Sequence, residues 1–198
     1  MLSEIVQKTK NYAKEEMKDN YLKWFVYHNW DHVLDVYERT KYLSKKENIN
    51  DDLSEMLYIA VFFHDIGYIK DIQNHEYISA KTAEEFLEKH NYPKDKIDII
   101  KSIILATKIA KQPQNHLQKV IKDADIDNMW RKDFFEKWKL LKKEIETINW
   151  KEIDTQSWNE STYSLLLNIE FYTETQIFER QKQLKENIAK LQKEIWKK

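Results

Sequence analysis

One glycine and two prolines in 198 residues leave this chain almost nothing with which to break a helix. Gly67, Pro93 and Pro113 are the only such residues, and Lys, Ile, Glu and Leu are the commonest of the rest. A sequence so short of turn formers and so rich in straight side chains predicts an all-α fold. Apolar residues recur at helical spacing over 2–19, with a start signal at Ser3, and over 30–46, where Val33, Val36, Tyr37, Thr40 and Leu43 share a face. Further helices are expected over about 52–65, capped by Asp51 or Asp52, and over 75–90, 94–109, 117–130, about 131–149 and about 160–197. The stretch TINWKEIDTQSWNES reads as the least regular part.

Absence of cysteine excludes disulfides and thiolate metal sites, so any metal must be held by imidazole and carboxylate. Thirty-three basic against 34 acidic residues give a net charge of −1, which argues against stable nucleic-acid binding and permits a local basic pocket. Nothing approaches the roughly 18 uninterrupted apolar residues of a membrane span, and the first residues lack the apolar core of a signal peptide. The expectation is a soluble cytoplasmic protein with no membrane partner.

FFHDIGYI (62–69) poses the functional question, because it sets His64 and Asp65 at the end of a buried apolar run. An unpaired buried carboxylate costs several kcal/mol. Polar residues at otherwise packed positions recur at His32, in NWDHVLDV, and at Asp125, in IKDADIDNM. Two imidazoles and two carboxylates from three helices make a mixed nitrogen–oxygen set. Such a set suits Mn, Fe, Co, Ni or Zn better than Ca, and leaves positions open for water and substrate.

The order His32, His64-Asp65, Asp125 resembles the H…HD…D signature of the HD-domain metal-dependent phosphohydrolases. YHNWDHV (27–33), FFHDIGY (62–68), HEYISA (75–80), ILATK (104–108), KDADIDNM (122–129) and the final FYTETQIFERQKQLKENIAKLQKEI (171–195) are similar to the small bacterial branch of that superfamily. The resemblance implies an HD-domain helical bundle, one domain over 1–198 with a core at about 20–130 and additional C-terminal helices over about 131–198. It implies metal ligands at His32, His64, Asp65 and Asp125. Asp123 competes for the last place. Positions 123 and 125 lie about 200° apart on a helix, so only one faces inward, and the family's AD pair aligns with Ala124-Asp125.

The implied cofactor is a divalent ion (Mn, Fe, Co, Ni, Zn or Mg), one per site. The implied reaction is hydrolysis of a phosphate ester or anhydride of a nucleotide or small phosphorylated metabolite by metal-activated water. Asp65 could orient that water and Glu76 act as general base. Lys108 could clamp the phosphate, with Lys70 and Lys111 as weaker candidates, and His28 could contact the phosphate or hold a water. The branch's histidine after ATK is missing, which favours one metal unless His75 or His116 is recruited. His90 reads as a helix C-cap. Alternatives are a non-catalytic metal- or nucleotide-binding sensor, or a helical interaction protein. The seam Leu184, Ile188, Leu191 and Ile195 could pack on its own chain or form a homodimer. Five of the seven tryptophans fall in the second half and read as helix–helix packing.

Overall fold

The computed structural model describes residues 2–18 and 24–197. The expected end of the first helix at 19 and the core boundary near 20 lie outside them. All regular structure among the described residues is helical. Ser3 starts α1 (Glu4–Glu16) by accepting the Val6 N–H. In α2 (Trp30–Lys46), Asn29 accepts the N–H groups of Asp31 and His32, and His32, Val33, Val36, Tyr37, Thr40 and Leu43 are buried along one stripe. For α3 (Asp51–Phe63) the cap is Asn50, which accepts the Leu53 N–H, rather than Asp51 or Asp52. Asn50 is the residue in extended backbone, and the two aspartates occupy the first turn, where their charge complements the helix dipole.

From Met56 onward α3 is buried nearly all round, and it is the central helix of the main apolar cluster. It packs against α1, α2, α4 (His75–Lys89) and α5 (Lys94–Ala106). It stops at Phe63, two residues before the expected end, and the chain turns into a 3-10 segment, Ile66–Ile69. Gly67 makes that turn possible by close approach. A Cβ there would stand 2.4 Å from the His75 carbonyl oxygen and 2.9 Å from the Ile78 Cβ. The Gly67 N–H also donates to the Ser79 hydroxyl at 2.9 Å. The chain's single glycine thus lets the first turn of α4 lie directly on the turn that carries His64 and Asp65.

Two expected helices are each divided. The stretch 117–130 is α6 (His116–Asp125) followed by a 3-10 turn, Asp127–Trp130. The stretch 160–197 is α8 (Thr155–Asn168) and α9 (Glu174–Ile195). Asp123 accounts for the second break. Its fully buried carboxylate accepts the N–H groups of Tyr172 and Thr173 at 3.1 and 2.8 Å and the Thr173 hydroxyl at 2.7 Å. Helix interior would have spent those N–H groups on its own carbonyls. The irregular stretch is shorter than expected, because α7 (Phe134–Asn149) runs into it and Asp154 caps α8 by accepting the Ser157 N–H at 2.8 Å.

A second apolar cluster joins Met129, Trp130, Phe134 and Trp138 to Leu166, Leu184 and Leu191, with Ile188 and Ile195 packed against it. The C-terminal seam is therefore covered within the chain. Asp127 stitches α9 to α2: it receives Arg39 at 3.1 Å, Arg180 at 2.8 and 3.0 Å and the Gln176 amide at 2.9 Å. Removing one member of such a buried set strands the others. Asp127→Ala is expected to cost about 3 kcal/mol, read as a lower urea midpoint with an unchanged slope.

Candidate metal centre

Three helix ends build the site. His32 is the third residue of α2, and the ring of Tyr27 stacks on it with centroids 5.2 Å apart. His64 and Asp65 follow the last residue of α3, and Asp125 is the last residue of α6. His64 Nδ1 donates to the Val61 carbonyl at 2.6 Å, which leaves Nε2 to face the centre. His32 Nε2 and His64 Nε2 are 3.4 Å apart. Asp125 Oδ1 lies 3.2 Å from the first and 3.4 Å from the second. Asp65 Oδ2 lies 3.4 and 3.2 Å from the same two nitrogens. Ligand atoms of His32, His64 and Asp125 all fall within 4.8 Å of one another. Neighbouring ligands held at about 2.1 Å from one ion lie about 3.0 to 3.4 Å apart. The donor set therefore fits a single divalent cation, and its chemistry is that of a transition metal rather than Ca.

Burial and charge pull against each other here. Desolvation alone would lower the pKa of His32, but the hydrogen bonds its ring donates to Asp125 and Asp65 outweigh it and bring the imidazole up to about 8. Desolvation likewise opposes a charged His64, and the carboxylates of Asp65 and Asp125 raise it well above its ordinary value. Burial would raise both acids, yet the two imidazoles hold Asp65 and Asp125 below the usual carboxylate range. Without a cation, protons on the imidazoles balance the two carboxylates.

Around this set stands a second ring of polar groups. Asp65 Oδ1 faces His75 Nε2 at 3.7 Å, and His75 Nε2 is 3.7 Å from Glu76 Oε1. His75 Nδ1 donates to the Ile72 carbonyl at 2.7 Å. Glu76 is buried in the first turn of α4. His28 stacks on Tyr68 with centroids 4.0 Å apart and presents its edge to His32 at 5.8 Å. Lys108 is exposed, and its carbonyl accepts from Lys122 Nζ at 2.7 Å and from the Lys111 N–H at 2.9 Å. The cation buried near the site is Lys122, which also donates to the carbonyls of Ala106 and Ile109 at the end of α5. Burial lowers its pKa, against the attraction of Asp125 and Glu76. His116 is exposed and pairs with Glu47 at 3.4 Å, and His90 caps α4 with Nδ1 on the Phe86 carbonyl. Asp123 faces away from the centre, toward Tyr172 and Thr173. Sequence reasoning did not find Lys122 or Glu144, whose carboxylate binds His28 Nδ1 at 2.5 Å. A cavity of 640 Å³ lined by Trp24, Phe25, Tyr68, Lys70 and Ile148 shares the Tyr68 wall with this ring.

An all-helical scaffold here gathers a histidine, a His-Asp pair and a distant aspartate around one point, an H…HD…D arrangement that could hold a metal ion. The HD domain family matches residues 29–130, just over half of the chain and all four donors, and the chain belongs to that family. No curated protein and no solved structure matches it. The family lies within a superfamily of metal-dependent phosphohydrolases. Among the described residues no helix is long and apolar enough to cross a membrane.

Two outcomes follow from this geometry. Asp125→Asn is expected to empty the site while Asp123→Asn keeps its metal and melts earlier, as metal analysis and thermal unfolding of the two variants would show. In chelator-treated protein the raised His32 contributes stability that is complete below its ordinary pKa of 6.5 and is lost as pH rises through about 8. The melting temperature should fall across that window. Because the same protons compete with the cation, metal affinity should weaken as pH drops below about 8.

Proposed function

We propose that this protein is a metal-dependent phosphohydrolase that cleaves a phosphate ester or anhydride of a nucleotide or another small phosphorylated metabolite. The observation that carries the reading is the meeting of His32, His64, Asp65 and Asp125 at 3.2 to 3.4 Å inside an HD domain. These four would hold one divalent ion. When bound, such an ion lowers the pKa of a water and polarises a phosphoryl oxygen.

The chain's own groups have separate tasks in this reading. Asp65 turns Oδ2 to the imidazoles and Oδ1 toward His75, so its second oxygen is placed to orient the attacking water. Glu76 receives the water's proton; its carboxylate is withdrawn from solvent beside His75, where a general base is screened from competing water. Lys122 supplies fixed positive charge near Asp125 and Glu76, and Lys108, free at the surface, closes on the phosphate. The aromatic walls of the 640 Å³ cavity offer a stacking surface to a substrate carrying a flat ring.

Purified protein loaded in turn with Mn, Co, Ni, Zn and Mg, then screened against phosphorylated compounds, tests the proposal. Turnover is expected with at least one metal and is lost on chelation. His64→Ala and Asp65→Ala are expected to lose metal and to lower kcat by about 100-fold or more. Retained metal with no turnover of any phosphorylated compound would instead mark a sensing or binding module.

A further inference from the structure

Glu144 lies on α7, beyond the segment matched by the HD domain, and no solvent reaches it. Its Oε2 accepts the backbone N–H groups of Tyr27 and His28 at 2.7 and 3.0 Å, and its Oε1 lies 2.5 Å from His28 Nδ1. Three donors are what a buried carboxylate needs to be satisfied. A carboxylate only accepts, so the bond to the ring places a proton on Nδ1 and leaves Nε2 as the unengaged nitrogen. The ring is held in place by its stack on Tyr68 at 4.0 Å and its edge contact with His32 at 5.8 Å, and 17% of the side chain stays open to solvent.

We propose that Glu144 is a positioning residue of the candidate active site. It fixes His28 as the Nδ1–H tautomer, so that Nε2 stands beside the metal centre as the acceptor that orients the attacking water or a substrate hydroxyl. The bonds to Tyr27 and His28 N–H would suffice to pin the loop ahead of α2. The third bond, to the ring, is the one that sets which nitrogen the site presents. What is oriented rests on the phosphohydrolase reading; the bond from the ring to Glu144 and the ring's edge contact with His32 do not.

Glu144→Gln separates the two roles in the full chain. The glutamine oxygen can keep both backbone bonds, while its NH2 group turns to Nδ1, which must then accept, moving the ring proton to Nε2. Expected results are an unchanged metal content and a melting temperature near that of the parent, with the 15N shifts of His28 exchanging tautomer. With the best phosphorylated substrate kcat should fall about tenfold or more while KM changes little. Glu144→Gln added to His28→Ala should slow the enzyme no further.

A parent protein whose His28 carries the Nε2 proton would overturn the inference. So would an unchanged kcat after the tautomer has exchanged, or losses that multiply in the double variant. If the parent hydrolyses no phosphorylated compound, the phosphohydrolase reading fails and NMR alone decides the position of the ring. His28 signals that shift on adding Zn(II) to the metal-free protein would uphold it, and signals that do not move would overturn it.

Discussion

Two carboxylates, the buried Asp65 and the half-buried Asp125, face each other across the centre of this site, and each needs a partner there. Leaving a buried one ionised and unpartnered costs several kcal/mol, a large share of the roughly 5–15 kcal/mol by which a domain is stable. Each is therefore tied to both imidazoles, His32 and His64, at 3.2 to 3.4 Å. That mutual dependence fixes the geometry of three helix ends. The same carboxylates raise the pKa of both imidazoles, whose protons then balance the two negative charges. A site prepared in this way would take up a metal by exchanging protons for the ion.

The acids at 123, 125 and 127 show how one short segment serves both halves of the molecule. Successive alternate residues on α6 and its exit turn point to opposite sides. Asp125 faces the metal centre. Asp123 and Asp127 face the C-terminal helices, the first gathering Tyr172 and Thr173, the second Arg39, Gln176 and Arg180. Helix α6 is thus a wedge whose one side finishes the centre and whose other side anchors the extension. Glu144 carries the link in reverse, reaching from α7 to the loop just ahead of α2.

Much of this was legible before any coordinates. Scarcity of glycine and proline implied an all-helical chain, and the apolar stripe of 30–46 matches α2 residue for residue at its ends. The four donors stood out because each is a polar group inside an apolar stretch. Other features left no such mark. Glu144 sits in KWKLLKKEIETIN, where it looks like any solvated glutamate, since its partners are more than a hundred positions away. Lys122 carried a faint sign, one turn before Asp125 among Val120, Ile121 and Ala124, but one lysine among 33 basic residues is unremarkable. The division of 160–197 was invisible because the acceptor that takes the N–H groups of Tyr172 and Thr173 belongs to another helix.

By itself the sequence determined that the chain is helical, which stripes are apolar and which polar residues are out of place on those stripes, because these depend on neighbours three or four residues apart. Only the tertiary structure decided what the misplaced residues meet. It turned Asp123 away and Asp125 inward, buried Lys122 and left Lys108 exposed, folded the C-terminal seam onto its own chain and brought Glu144 to His28. The reason is that a buried charge is satisfied by whatever donor the packing delivers, and packing joins positions that local periodicity cannot relate.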